Sequence, residues 1–129
     1  MKRAARSASA PARLLLVVAA CATAASAALG SPAMSIRELR TLQAREADGS
    51  NYANYYLVGV MEGLREAADA AQRAGGKPAF CVQGRRLEPA MARSLYEAEL
   101  KRNAHLYEAD MPVPLVLAAA LQGSFRCKE

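Results

Sequence analysis

The sequence predicts an all-α protein, a small helical domain of about four helices held together by one disulfide. Three observations favour this fold class. Beyond residue 35, apolar residues recur at intervals of three and four along most of the chain, which is the spacing of one helix face. No segment alternates apolar and polar residues for long enough to indicate a strand. Two cysteines remain once the N-terminal segment is set aside.

The first 27 residues have the composition of an export signal. Leu14–Ala20 is a short apolar run, and Ala25–Ala27 supplies the small residues of a cleavage site. The basic residues that precede the run are Lys2, Arg3, Arg6 and Arg13. The run is shorter than the roughly 20 apolar residues of a membrane span. We therefore divide the chain into an export signal, residues 1–27, and a helical domain, residues 28–129, and expect the mature protein outside the cytoplasm.

The segment Val18-Ala19-Ala20-Cys21 supports a second interpretation of the N-terminus. It resembles the lipobox of bacterial lipoproteins, in which the cysteine is acylated and becomes the first residue. Lipidation at Cys21 would anchor the protein to the outer membrane, whereas cleavage after Ala27 would release it. The sequence leaves both routes open, and we expect a membrane contact only if Cys21 is lipidated.

The charge of the chain changes when the leader is removed. The whole chain has 17 basic and 12 acidic residues, a net charge of +5. Four of the basic residues and none of the acidic residues lie in the first 27 positions, so the mature part has 13 basic residues against 12 acidic ones. A net charge of +1 gives no reason to expect a nucleic-acid partner.

Cys81 and Cys127 are the cysteines of the mature chain. Because exported proteins occupy an oxidising compartment and neither cysteine has another partner, we expect a disulfide between them. It would close a loop of about 45 residues and contribute roughly 4 kcal/mol in the chain-entropy treatment. Two free thiols are the alternative. A closed zinc site is not expected, because two cysteines and one histidine supply too few ligands.

The first two helices are predicted from their end signals. Ser35-Ile36-Arg37-Glu38 has the pattern of a capping box, and the helix should run to about Ala47 and end at Asp48-Gly49. The segment NYANYYLVGVMEGLREAADAAQRAGG predicts a long second helix that a glycine pair closes. Its predicted buried face contains Tyr52, Tyr56, Gly59, Val60, Gly63, Leu64 and Ala67. Gly59 and Gly63 each cost about 1 kcal/mol of helix propensity, so we expect them to permit close packing by another helix.

Two further helices follow a loop that carries Phe80 and Cys81. Pro89 suits the first turn of a third helix over about Glu88–Asn103. The residues expected on its buried side are Met91, Leu95, Tyr96 and Leu100. Met111-Pro112-Val113-Pro114 then begins a last helix, which continues through Leu121 and ends near Gly123.

The residues that could perform chemistry do not form a catalytic pattern, so we expect a binding or structural protein, no enzyme, and no cofactor. His105, the single histidine, is predicted to have a surface or capping role. Four acids are expected on helix surfaces and in loops: Glu97, Glu99, Glu108 and Asp110. The tyrosines Tyr52, Tyr55 and Tyr56 could form an aromatic binding surface, but we expect them to pack in the core.

Arg85 and Arg86 are the candidates for a contact with a protein partner. They lie in the loop next to Cys81, where a disulfide would stiffen the backbone. The alternative is that both side chains belong to a solvated loop.

Three segments carry a resemblance to a known family: YLVGVMEGLREAA, AFCVQG and PLVLAAALQGSFRC. In this order and spacing they resemble the Rap/Tai family of immunity proteins, small exported α-helical proteins that protect bacteria from type VI secretion amidase effectors of sister cells. The resemblance covers about residues 52–127. The residues that carry it look structural: Gly59, Gly63, Phe80, Cys81, Ala120, Leu121, Phe125 and Cys127. Family members often have prolines where this chain has Arg126 and Gln83 or its neighbours.

The resemblance implies a function. The protein would bind a peptidoglycan amidase effector in the periplasm, occupy its cleft and keep substrate from the catalytic cysteine. It also implies that the protein can form a homodimer and uses no cofactor. The alternative is a periplasmic or lipid-anchored protein of the cell envelope, with a binding or structural role and no toxin partner.

Overall fold

The computed structural model describes residues 32–45, 47–82 and 84–128, and from Ala33 onward the chain forms one compact unit. In these residues four α-helices follow one another, and there is no strand. The α-helices are α1 (Ile36–Arg45), α2 (Gly49–Arg73), α3 (Met91–Arg102) and α4 (Val113–Ser124), with a short 3-10 helix at Ala104–Leu106. The predicted all-α class with four helices is confirmed. The predicted export signal and Cys21 lie outside the described residues.

The capping box at the start of α1 is confirmed. The backbone N–H and the Oγ of Ser35 donate to Oε2 of Glu38, at 2.7 and 2.8 Å. The backbone N–H of Glu38 donates in return to Oγ of Ser35, at 3.2 Å. These hydrogen bonds to Ser35 hold the pKa of the Glu38 carboxyl below its usual value, because they favour the charged form.

The start of α4 is joined to the segment that precedes α1. Ser35 and Pro112 form an isolated antiparallel bridge, and the N–H of Val113 donates to the carbonyl of Met34 at 2.9 Å. The chain therefore enters the compact unit beside the first turn of α4.

The end of α2 is closed by the predicted glycine pair. Gly75 has φ +76°, a left-handed conformation that glycine adopts without the steric cost of a Cβ. Its N–H donates to the carbonyl of Gln72, and the N–H of Gly76 donates to the carbonyl of Ala71, at 3.0 and 2.9 Å. This pair of hydrogen bonds is a Schellman motif, which supplies donors to carbonyls that the helix leaves without a partner.

The core face of α2 differs from the predicted one. This helix packs against α1, α3 and α4, and the residues it buries are Gly49, Ala53, Leu57, Met61 and Ala68. The predicted face was displaced by about one residue around the helix, or roughly 100°. Gly59 and Gly63 are exposed, and a Cβ on either would meet nothing within 4 Å. The prediction that they admit a neighbouring helix is therefore wrong within this chain.

The tyrosines of α2 separate into two groups. Tyr52 and Tyr55 are 55% and 76% exposed, so the prediction that they pack in the core is wrong. Tyr56 is partly buried, and its hydroxyl accepts a hydrogen bond from the N–H of Met34 at 3.1 Å. The first half of α2 thus presents two aromatic rings to solvent.

The pair formed by α3 and α4 contains an unpredicted buried acid. Glu99 is 6% exposed, which contradicts the expectation of a surface residue. Its Oε1 accepts hydrogen bonds from Nδ2 of Asn103 at 2.9 Å and from the hydroxyl of Tyr107 at 2.7 Å. Met91, Leu95 and Leu100 are only partly buried, since α3 turns Ala92, Tyr96 and Glu99 to the interior.

Among the described helices, none is both long enough and apolar enough to cross a membrane.

Candidate protein-binding surface

The loop after α2 and the segment after α4 are held against each other by a disulfide. Cys81 and Cys127 are bonded, with their Cα atoms 4.8 Å apart. The N–H of Cys81 also donates to the carbonyl of Phe125 at 2.7 Å. The rings of Phe80 and Phe125, one from each segment, are 4% exposed. The predicted disulfide is confirmed, and the hydrogen bond and the buried rings reinforce it.

Arg85 is bound to the C-terminal segment by its own side chain. Its Nη1 donates to the carbonyl of Ser124 at 2.8 Å and its Nη2 to the carbonyl of Cys81 at 3.3 Å. The guanidinium carbon lies 4.6 Å from the centre of the Phe125 ring, within the range of a cation–π interaction. The predicted candidate Arg85 therefore has a structural role in addition to any contact with a partner.

A turn orients Arg85 toward this segment. The N–H of Arg85 donates to the carbonyl of Val82 at 3.0 Å, and Gly84 has φ +76°. A turn of this kind needs a residue with positive φ at its third position, which glycine supplies. A Cβ at Gly84 would meet nothing within 4 Å, so the backbone conformation, and not lack of space, explains the glycine.

Arg86, the other predicted candidate, has an exposed side chain. Its side chain is 88% exposed, and the nearest acid is Glu88, with Nε and Oε1 3.6 Å apart. At this distance and exposure the ion pair contributes little to stability. Arg86 is thus available to a partner, and its removal should leave the fold intact.

A shallow basic cleft lies where the two segments meet. It has a volume of about 340 Å³ and is lined by Arg85, Gly123, Ser124, Arg126 and Lys128. We call this set of residues the basic cleft. Three of the five are cationic and none is acidic. Since residues 28–129 have 13 basic and 12 acidic residues, this concentration of one charge is a local feature.

Arg126 and Lys128 were not predicted as functional residues. Each is exposed, and each lies within one residue of Cys127 in the sequence. The signal that could have identified them is the predicted disulfide, since it places the neighbours of Cys127 beside those of Cys81.

The other polar residues singled out in the sequence include the histidine and a buried acid. His105 is exposed in the 3-10 helix, as predicted. Within residues 32–45, 47–82 and 84–128, no three side chains of the metal-ligating types lie close enough to hold an ion. Glu99 and Arg102 line a cavity of about 270 Å³ between α3 and α4, but Asn103 and Tyr107 already bind the Glu99 carboxylate.

Comparison with known proteins gave no match: no family model fits the sequence, and no curated protein or solved structure is significantly similar to it. The resemblance to the Rap/Tai family thus stays a prediction from the three segments quoted above.

Proposed function

We propose that this protein is a periplasmic immunity protein that binds a type VI secretion peptidoglycan amidase effector and blocks it sterically. The observation that carries the proposal is the meeting of two of the segments that resemble the Rap/Tai family. The disulfide between Cys81 and Cys127 joins the AFCVQG loop to the SFRC end. Together they form a surface whose backbone is held by covalent and hydrogen bonds.

A rigid surface suits an inhibitor that works by occupying a cleft. Side chains whose backbone is already fixed lose less conformational freedom when they bind. Arg85 is held in place by two carbonyls and an aromatic ring, while Arg86 is free to reach outward. An effector bound here would lose access to its peptidoglycan substrate, and no catalytic group of this chain is needed.

The test is a pull-down of the oxidised protein against periplasmic and secreted fractions of its own organism and of close relatives. We expect a cell-wall amidase at stoichiometric yield, with its hydrolysis of peptidoglycan blocked. Arg86→Glu should weaken the complex, while Arg45→Glu on α1 makes the same charge change at another exposed position and should not. Failure to recover any hydrolase with folded, oxidised protein would refute the immunity function.

A second candidate is a cell-envelope protein with a binding or structural role and no toxin partner. The observation that favours it is Val18-Ala19-Ala20-Cys21, the sequence similar to a lipobox. Mass spectrometry of the mature N-terminus distinguishes the two routes of processing. An acylated Cys21, together with no amidase in the pull-down, would support the envelope role.

A further inference from the structure

We propose that the basic cleft binds a carboxylate-rich segment of a protein partner. The inference rests on the proposed function in one respect, that the partner is a protein. It adds the chemistry of the partner and the residues that recognise it, Arg85, Arg126 and Lys128.

The first argument is the charge balance of the cleft compared with the rest of the surface. Four of the seven arginines in the helices are paired with an acid: Arg37 with Asp110, Arg65 with Glu62, Arg73 with Glu66 and Arg93 with Glu97. In the described part of the chain, no carboxylate lies within 4.0 Å of the cations that line the cleft. The nearest acids in the sequence are Glu88, beside Arg86, and Glu129, which lies outside the described residues. Glu62 and Asp69 line a neighbouring cavity with Arg85, but both pair with Arg65.

The second argument is that the backbone on both sides of the cleft is fixed, so that its three cations stay on one surface. The disulfide and the hydrogen bond from Cys81 to Phe125 fix the two segments. Arg85 then spans them through Ser124 and Cys81. All three cations line the same cleft, so an anion that enters it is attracted by each of them.

The third argument concerns the kind of anion. An arginine has five N–H donors, and Arg85 uses two of its nitrogens on backbone carbonyls. Guanidinium groups recognise planar carboxylates through paired hydrogen bonds. A carboxylate-bearing segment therefore fits the donors that Arg85 and Arg126 can present, and Lys128 adds a flexible point charge.

The lining also argues against a lipid surface. Proteins that dock on membranes place apolar side chains beside their cations, so that these enter the lipid. The large apolar side chains that are exposed in the described residues are Tyr52, Tyr55, Leu106 and Leu115, and none of them lines the cleft. Gly123 and Ser124, the neutral residues of the lining, have no apolar side chain to insert.

The experiment measures binding of a fluorescent acidic peptide to the oxidised full chain by anisotropy, at low and at physiological ionic strength. The control peptide carries Gln and Asn in place of Glu and Asp. We expect the acidic peptide to bind, the control peptide not to bind, and the affinity to fall as salt rises. Arg126→Gln/Lys128→Gln should weaken binding by about tenfold, because each exposed ion pair contributes a factor of a few.

The matched control is Arg40→Gln/Arg45→Gln, which also removes two positive charges, but from exposed positions on α1. It should leave peptide binding unchanged. Equal weakening by both double variants would overturn the proposal, because binding would then follow net charge alone. Absence of peptide binding at low salt would also overturn it. If the peptide does not bind and phosphatidylglycerol vesicles bind through Arg126 and Lys128, the cleft recognises a lipid surface and the proposal is also overturned.

The pull-down separates this inference from the proposed function. If the peptide binds through the cleft and no amidase is recovered, the proposed function fails and the inference stands. If Arg126→Gln/Lys128→Gln recovers an amidase as well as the unaltered chain does, the function stands and the inference is overturned.

Discussion

The hydroxyl of Tyr107 donates a 2.7 Å hydrogen bond to Oε1 of Glu99. Glu99 is the buried charged side chain of the described core, and its second donor is Asn103 in the following turn. A buried charge is costly unless hydrogen bonds replace its water. The hydrogen bond from Tyr107 therefore offsets part of the free-energy cost of burying Glu99 on the inner side of α3.

Tyr107→Phe should lower the free energy of unfolding by about 1.5–3 kcal/mol, the range for a hydrogen bond to a charged group. Urea unfolding followed by circular dichroism measures the loss. The matched control is Tyr55→Phe, because Tyr55 is 76% exposed and its hydroxyl should contribute almost nothing. A loss in Tyr107→Phe no larger than that in the control would show that the hydrogen bond is unimportant.

The same contact predicts a pH dependence on the alkaline side. Burial and the hydrogen bond to Glu99 raise the pKa of Tyr107 to about 12, compared with about 10 in an unfolded chain. Between these values the folded state keeps a proton that the unfolded state has lost. The contribution is present below about pH 10 and is lost as the pH rises toward 12. The difference in unfolding free energy between the unaltered chain and Tyr107→Phe should therefore shrink over this interval.

Gly59→Ala and Gly63→Ala should each stabilise the monomer by about 0.5–1 kcal/mol. Both positions lie inside α2, a Cβ there meets nothing within 4 Å, and alanine is the better helix former. Gly75→Ala is the contrasting variant and should destabilise by about 1 kcal/mol, because its φ of +76° disfavours a Cβ.

Thermal unfolding at several protein concentrations measures these effects. If Gly59→Ala or Gly63→Ala destabilises the protein, and more strongly at high concentration, the prediction is wrong and a second copy packs on this face of α2. That result would support the homodimer that the Rap/Tai resemblance implies.

Cys81→Ala/Cys127→Ala should lower the free energy of unfolding by about 4 kcal/mol, from the chain entropy that a crosslink spanning 46 positions removes from the unfolded state. The loss is large compared with the 5 to 15 kcal/mol that stabilise a typical domain. Adding reductant to the unaltered chain should produce the same loss, and adding it to the double variant should change nothing. A reductant effect on the double variant would show a cause other than the disulfide.

Two helix ends were predictable because their signals are local, whereas α3 begins at Met91, after the Pro89 predicted for its first turn. The Ser35–Glu38 capping box and the glycine pair Gly75-Gly76 each lie within a few residues of the hydrogen bonds they form. The disulfide was predictable by elimination among few cysteines. These features depend on the sequence next to them, or on composition, and not on how the helices pack.

The buried side of α2 was not predictable in the same way, since apolar residues occur on two of its faces. Tyr52, Gly59 and Gly63 follow one stripe, whereas Leu57 and Met61 follow another. The stripe that becomes core depends on where three other helices lie. Small residues such as Ala53 let those helices approach closely, and that contribution to packing is missed when only large apolar side chains are counted.

Some contacts could not be predicted because they join residues that are far apart in the sequence. Arg85 and Phe125 lie 40 positions apart, and nothing local indicates a cation–π contact between them. Glu99 has the pattern of a surface residue until the chain turns and brings Tyr107 to its carboxylate. In both cases a polar residue obtains its role from a partner that only the fold supplies.

The bridge between Ser35 and Pro112 decides which end of the domain can carry an attached group without covering the basic cleft. α4 begins at this bridge and ends at the basic cleft, and its 12 residues span roughly 18 Å. A fluorophore or biosensor surface attached at Ala33 would therefore lie at the end of α4 that is remote from the cleft. The same group attached after Lys128 would cover it.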